Sequence, residues 1–253
     1  MSQVSVIMPT YNRASTIERA VISVLSQTYT DFELIIIDGG SNDNTKEILA
    51  NIKDERLKIV YLSEKKRISV VRNEGLKQAN GEIIAYLDSD NIWHHNYLEV
   101  MTNELMPNNI LVYSAQNELL VEGSSTESKV IGRMIRDHEY NPTALIYGNY
   151  IDTNATIHYK KVIEEVGLFD ETLSSCEDWE FFARIVFKYP LKIKYVRQVL
   201  GDYYFYLKNT LETVTNSENS DEKIKALFKV ESSEGDVKYV QDKLKSIMGL
   251  RKA

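Results

Sequence analysis

Short apolar segments that alternate with helical patterns constrain the fold of this chain more than any other feature. Residues 4–8, 33–37, 58–62 and 83–87 are rich in β-branched residues, which is typical of strands buried on both faces of a parallel sheet. The intervening segments repeat their apolar residues at helical spacing. Strand, helix and strand repeated in this way predict a doubly wound, mainly parallel α/β sheet flanked by helices.

The second half of the chain is less regular. Its patterns predict helices over 95–105, 160–166 and 177–189 and strands over 110–113, 151–159, 192–199 and 202–206. Residues 117–150 give no clear prediction. We predict one domain over residues 1–214, with halves 1–92 and 93–214, followed by a linker and a helical tail over residues 215–253.

The tail is the segment with two open interpretations. After Asp236 its apolar residues recur at helical spacing, and several lysines surround them. Such a helix either packs on the domain or lies on the surface, where it would contact a second copy of the chain or an anionic lipid surface. The second interpretation predicts a homo-oligomer or peripheral membrane association.

Overall charge and cysteine content limit the partners and the compartment. The net charge of −7 argues against nucleic acid as the main partner, since phosphate binding requires a basic face. The single cysteine, Cys176, cannot form an internal disulfide. No apolar run approaches the ~20 residues of a membrane span, and the first residues lack the basic region of a signal peptide. We therefore expect a cytoplasmic protein.

Two aspartates follow the strand predicted over 83–87. Asp88 and Asp90 stand two residues apart where the apolar run stops. In open α/β sheets the carboxyl ends of the strands form the ligand crevice, and carboxylates there can bind Mg²⁺ or Mn²⁺ together with a substrate phosphate. A solvated acidic turn is the alternative.

Four segments, in order, resemble the family-2 glycosyltransferases of the GT-A fold. They are VSVIMPTYNR (4–13), SVLSQTYTDFELIIIDGGSNDNT (23–45), ISVVRNEGLKQANGEIIAYLDSDNIW (68–93) and HYKKVIEEVGLFDETLSSCEDWEFFARI (158–185). The resemblance covers roughly residues 3–206. It implies an inverting enzyme that moves a sugar from a nucleotide-sugar donor, with UDP the expected nucleotide, to a glycan, a lipid-linked sugar or another hydroxyl. Residues 1–92 would bind the nucleotide, and residues 93–214 would bind the acceptor and carry the catalytic acids.

The resemblance also assigns roles to individual residues. Those expected to bind the nucleotide sugar are Pro9, Thr10, Tyr11, Asp38, Arg72, Asp88 and Ser89. Asp90 matches the usual ligand of the divalent cation, Mn²⁺ or Mg²⁺. The family usually has a second aspartate where Gly39 stands, a third acid where Asn91 stands, and often a histidine near residues 206–209. Gly39 leaves Asp38 without the usual paired acid. The other two departures leave the metal ligands beyond Asp90 open and predict weak metal dependence or none.

The last segment contains the expected catalytic acids, Glu177 and Asp178. In the family this pair supplies the catalytic base, and Asp178 is the better candidate. Both acids fall in the first turn of a predicted helix, for which Ser174 and Ser175 are candidate caps. The helix dipole favours acids there for stability alone, and it should keep Asp178 ionised.

Two other functions fit parts of the sequence. A nucleotidyltransferase would have a similar sheet, but it usually has a glycine-rich basic loop after the first strand, which this chain lacks. A non-catalytic module could keep the nucleotide site alone, and loss of Asp90 or Asp178 would favour it. Both acids are present.

Overall fold

A computed structural model of the chain describes residues 3–106, 108–124, 127–206 and 234–247. The strands are β1 (Val4–Thr10), β2 (Phe32–Asp38), β3 (Leu57–Tyr61), β4 (Ile83–Tyr86), β5 (Ile92–Trp93), β6 (Leu111–Ser124), β7 (Glu127–Arg136), β8 (Thr156–Tyr159) and β9 (Ile193–Tyr206). The helices are α1 (Ile17–Leu25), α2 (Thr45–Asn51), α3 (Ile68–Gln78), α4 (Tyr97–Leu105), α5 (Val162–Val166), α6 (Glu177–Lys188) and α7 (Glu234–Ile247).

Within these residues the strands form one nine-stranded sheet. Its order is β3-β2-β1-β4-β8-β6-β9-β5, and β7 pairs with β6. Strands β3, β2, β1 and β4 run parallel, β8 runs antiparallel to β4 and β6, and β6 runs parallel to β9. The predicted α/β sheet with flanking helices and a C-terminal helix is therefore confirmed.

Alternating residues of the central strands supply the two halves of the core. Ile7 of β1 faces the side that includes α3, α6 and α7, and Val6 faces the side that includes α1 and α4. Gly75 allows α3 to lie close to β1, because a Cβ there would come within 2.5 Å of Ile7 Cγ2. This close approach brings the start of α3 to the carboxyl end of the sheet.

The second half departs from the sequence prediction in three places. The strand predicted over 110–113 continues to residue 124 as β6, and the two strands predicted over 192–206 are one strand, β9. The two long strands pair with each other, and Asn117 Nδ2 of β6 donates to Asp202 Oδ1 of β9 at 2.6 Å. The segment predicted as extended from residue 151 contains a 3₁₀ turn, Thr153–Ala155, before β8. It forms because the Asp152 carboxylate accepts from the Asn154 backbone N–H at 2.8 Å.

The tail helix is present as α7 and packs on α6. Val240 and Leu244 are fully buried in the core between them, as the packed interpretation of the tail predicted. The predicted linker over 215–223 lies outside the described residues, and the domain boundary at residue 214 stays a prediction. Among the described residues, the helices are all too short or too polar to cross a bilayer.

Acid pH should destabilise the protein through His158. This residue is fully buried on β8, where Nε2 lies 2.9 Å from Tyr86 Oη and Nδ1 lies 2.9 Å from Tyr159 O. Burial lowers the His158 pKa from 6.5 to about 4. A lowered pKa in the folded state means that the unfolded chain binds the proton first, so stability falls as pH drops from about 6.5 towards 4.

The test compares the wild type with His158→Gln in urea unfolding at pH 7.5 and pH 5.0. Between these pH values the wild type should lose about 2 kcal/mol more unfolding free energy than the variant. The groups that titrate in both proteins cancel in this difference. Equal losses in the two proteins would contradict the assignment.

Candidate active site

A cleft of about 320 Å³ lies at the carboxyl ends of β1 and β4. Its walls come from the loop after β1, the start of α3, the segment after β4, and β9. The lining residues are Pro9, Thr10, Tyr11, Arg13, Lys66, Ile68, Val71, Arg72, Asp88, Ser89, Asp90 and Tyr203. Seven of the ten predicted site residues are therefore brought together, and Asp38, Glu177 and Asp178 lie outside the lining set.

The loops after β1 and β2 are bonded to each other at one end of the cleft. Asn12, at a φ of 51°, donates its backbone N–H to Ser41 Oγ at 2.9 Å. The next residue, Arg13, donates its backbone N–H to Thr45 Oγ1 at 2.9 Å. These bonds fix the backbone of the segment that carries Tyr11.

Asp38 ends β2 below this loop and is fully buried. Its Oδ1 accepts from the Ser41 backbone N–H at 2.7 Å, whereas Oδ2 and the nearby Thr10 Oγ1 have no partner among the described residues. Buried polar atoms without partners are rare and point to a missing donor or acceptor. At the neighbouring position, a Cβ on Gly39 would lie 3.2 Å from Val71 Cγ2. A side chain at this position would therefore pack tightly against Val71.

Arg72 connects the segment after β4 to the start of α6. Its Nη2 lies 3.0 Å from Asp88 Oδ1 and its Nη1 lies 2.5 Å from Glu177 Oε1. Burial by itself would lower the Arg72 pKa. The negative charges of Asp88, Glu177 and Asp178 raise it by more, so the net shift of the pKa is upward. Arg72 is therefore always charged, and Glu177 is bound to it.

Asp178, the other acid of the pair, is half-buried and has weaker partners. Its Oδ2 accepts from Asn149 Nδ2 at 3.1 Å and its Oδ1 accepts from the Trp179 backbone N–H at 2.7 Å. Burial, and then the charge of Glu177, raise the Asp178 pKa to about 7, although Arg72 opposes the shift. Burial and the neighbouring like charge therefore oppose the helix dipole, which is expected to keep Asp178 ionised.

Asp90 is paired with a cation of the chain itself. Arg13 Nε lies 3.1 Å from Asp90 Oδ2. Burial and Asp88 raise the Asp90 pKa, and Arg13 opposes this. Within the described ranges, no group of three or more His, Cys, Asp and Glu side chains could hold a metal ion. Asp90 alone fits a cation that takes its other ligands from water and a bound phosphate, as Mg²⁺ commonly does.

Two residues near the metal motif have other structural roles. Asn91 is buried, and its Oδ1 accepts from the Tyr204 backbone N–H at 2.9 Å, so it supports β9. His94 Nε2 lies 3.2 Å from Oδ1 of Asp202, which is also on β9. Neither residue replaces the metal ligands that are usual in the family and absent from this chain.

Sequence reasoning missed the residues that hold the acids in place. Asn154 accepts from the Asp88 backbone N–H at 2.6 Å and donates from Nδ2 to Asp88 Oδ2 at 3.2 Å and to Asp152 Oδ1 at 2.9 Å. Asn149 bonds Asp178 in a similar way. Arg13 could have been found, because it belongs to the quoted PTYNR motif, whereas the two asparagines have no local signature.

The profile of Glycosyl transferase family 2 matches residues 5–166 of the chain. The chain belongs to this family. It is similar to the UDP-Glc:alpha-D-GlcNAc-diphosphoundecaprenol beta-1,3-glucosyltransferase WfgD of Escherichia coli, with 37% identity over 52% of this chain and 50% of WfgD. It is also similar to the poly(ribitol-phosphate) beta-N-acetylglucosaminyltransferase TarP of Staphylococcus aureus, with 45% identity over 43% of this chain and 35% of TarP. The chain spans half the length or less of these relatives.

Solved structures share the fold of this family member at lower identity. Residues 1–349 of S. aureus TarS, in complex with UDP-GlcNAc, superpose with a TM-score of 0.69 and 19% identity over 97% of this chain and 72% of that one. The mannosyltransferase PcManGT of Pyrobaculum calidifontis, in complex with GDP-Man and Mn²⁺, gives a TM-score of 0.61 and 16% identity over 98% and 74%. The GT-A fold predicted from the sequence is confirmed.

Proposed function

We propose that this chain is an inverting glycosyltransferase that moves a sugar from a nucleotide-sugar donor, a UDP-sugar, to a hydroxyl of a glycan or lipid-linked acceptor. The observation that carries the proposal is the buried Arg72, which lines the cleft and joins Asp88, after β4, to Glu177 at the start of α6. Membership of the family supports a glycosyltransferase over a nucleotidyltransferase, and the presence of both Asp90 and Asp178 supports it over a non-catalytic module.

The donor would lie along the cleft with its base between the loops after β1 and β2. Tyr11 offers a ring for stacking on the base, and Pro9 and Thr10 offer backbone groups. The unpartnered Oδ2 of Asp38 is suited to accept from an imide N–H or a ribose hydroxyl. In this arrangement Asp88 and Ser89 would contact the ribose and the sugar, and Arg72 would contact the diphosphate.

The transfer is a single displacement. The acceptor oxygen attacks the anomeric carbon as its proton moves to Asp178 Oδ1 or Oδ2, and the bond from the sugar to the diphosphate breaks. The electron pair leaves with the nucleoside diphosphate, so the anomeric configuration inverts. Asn149 orients the Asp178 carboxylate through its 3.1 Å bond.

Asp90 would hold a divalent cation, Mn²⁺ or Mg²⁺, with oxygens of the diphosphate, and the cation would neutralise charge on the leaving group. Arg13 and Arg72 supply further positive charge at the same place. A lipid-linked acceptor, like the one in WfgD's name, would bring the protein to a membrane surface. We extend the proposal to such peripheral association and to contact between copies of the chain.

The proposal is tested by incubating the protein with a panel of UDP-, GDP- and dTDP-sugars and measuring release of the free nucleoside diphosphate. Each donor is tried with Mn²⁺, with Mg²⁺ and with a chelator. Turnover of at least one UDP-sugar is expected, with loss of activity in the chelator. Absence of both binding and turnover for every donor would refute the enzyme.

The pH dependence of turnover reports the state of the base. Because the base must be deprotonated and the Asp178 pKa is about 7, kcat/KM should rise with pH through about 7 and then level off. Below that value it should fall about tenfold per pH unit. A rise centred near pH 4, about the range of an ordinary aspartate, would contradict the raised pKa of Asp178.

A further inference from the structure

We propose that Asp236, on α7, is a positioning residue that fixes the segment preceding α6 and thereby sets the place of Asp178. The inference rests on the proposed function, because it assigns α7 a role in transfer. Asp178 would be the catalytic base. Asp236 would act on it through residues 174–176, which precede the first residue of α6.

The contact between Asp236 and this segment is extensive. Asp236 Oδ2 accepts from the backbone N–H groups of Ser174 at 3.1 Å and Ser175 at 3.0 Å. It also accepts from Ser174 Oγ at 2.6 Å and from Ser175 Oγ at 3.1 Å. One carboxylate oxygen thus gathers four donors from two consecutive residues, 62 and 61 positions away in sequence.

The segment needs such support because of its backbone conformation. Cys176, the residue before α6, has a φ of 61° and forms no side-chain bond that caps the helix. A non-glycine residue in this region is strained, and the conformation persists only where its surroundings impose it. Ser174 and Ser175, predicted as caps of α6, instead direct their hydroxyls to Asp236.

The position of Asp236 is itself fixed by the rest of α7. Val240 and Leu244 are fully buried against the domain. Lys243 Nζ lies 2.8 Å from Glu180 Oε1, on α6, and 3.4 Å from Asp170 Oδ2. The helix therefore contacts both the segment before α6 and Glu180 in the first turn of α6, and Asp178 lies between these two points.

Loss of the Asp236 carboxylate should release the segment and move Asp178. A displacement of about 1 Å at a catalytic group lowers rates by about a hundredfold, so kcat should fall by about ten- to a hundredfold. Affinity for UDP should change less than about threefold, because the residues that line the cleft belong to other segments. Better hydration of Asp178 should also move the acid limb of the pH profile to lower pH, since burial is what raises it.

The test compares Asp236→Ala with Asp236→Asn, which keeps an acceptor oxygen, and with Asp242→Ala, which removes an exposed acid from the same helix. Three quantities are measured: kcat and KM for the donor, the pH profile, and hydrogen exchange of a peptide spanning residues 170–179. Asp236→Ala should lower kcat, shift the acid limb and speed exchange of the amides of Ser174 and Ser175. Asp236→Asn should lie between it and the wild type, and Asp242→Ala should match the wild type.

The outcomes separate this inference from the proposed function. If the wild type turns over a donor but Asp236→Ala keeps its kcat, the positioning role is overturned. If the wild type turns over no donor, the proposed function fails. In that case, if hydrogen exchange over residues 170–179 is the same in Asp236→Ala as in the wild type, the inference that Asp236 fixes this segment is overturned as well. Equal losses in the Asp236 and Asp242 variants would show a general effect on α7 and would overturn the specific role.

Discussion

Asp178→Asn should lower kcat by about a thousandfold while leaving UDP affinity within about threefold of the wild type. Removal of a general base in this way costs between about 10² and 10⁴ in rate. The amide has the shape of the carboxylate and can keep one bond to Asn149, but it cannot take the proton of the acceptor hydroxyl. The measurements are initial rates of nucleoside diphosphate release and calorimetric titration with UDP.

Two further variants make this result specific to the base. Asp242→Asn applies the same change at an exposed position and should leave the rate unaltered. Glu177→Gln should weaken the interaction with Arg72, whose Nη1 lies 2.5 Å from Glu177 Oε1 in the wild type. The rate of this variant should still depend on pH, since the base remains. If Asp178→Asn transfers at the normal rate, the base lies elsewhere, even in a functioning transferase.

Arg72→Met should have the largest effect on stability of any single substitution in the site. It leaves the buried Glu177 and the partly buried Asp88 without their cation, and breaking a buried ion pair in this way costs about 3–5 kcal/mol. The Asp178 pKa should rise further, because Arg72 is the charge that lowers it. Urea unfolding at pH 7.5 measures the loss of unfolding free energy.

The control for Arg72→Met is Lys77→Met, which removes a largely exposed cation from the same helix. It should change stability by less than about 1 kcal/mol. Arg72→Lys keeps the charge without the two-pronged geometry, so it should fold yet bind UDP about tenfold more weakly. A loss below 1 kcal/mol for Arg72→Met would show that the acids are well solvated without it.

The first half of the fold could be predicted from the sequence because its signals are local. Strands β1, β2 and β4 bury consecutive apolar residues, and α1 has one apolar face. The motif residues follow the strand ends directly, so topology alone places Pro9 and Asp88 at the same crevice. The structure brings both to the cleft.

The second half could not be predicted in the same way because its elements depend on distant partners. The polar residues of β6 look like a loop until Asn117 is seen bonded to Asp202, 85 positions away. Asn154 is 66 positions from Asp88, and no spacing rule links them. The Asp178 pKa likewise depends on burial, which a dipole argument from the helix alone omits.

The order of strands in the sheet also has a consequence for synthesis on the ribosome. Strands β1 to β4 leave the exit tunnel in sequence, and each can pair at once with a neighbour already made. The edge of β4 that faces away from β1 is unpaired until β8 has been synthesised. Strand β5 is unpaired until β9 has been synthesised, because it pairs with Gly201 and Asp202 of that strand. We therefore expect nascent chains that stop before β8 to present a bare strand edge to other polypeptides, which is where a ribosome-bound chaperone would act.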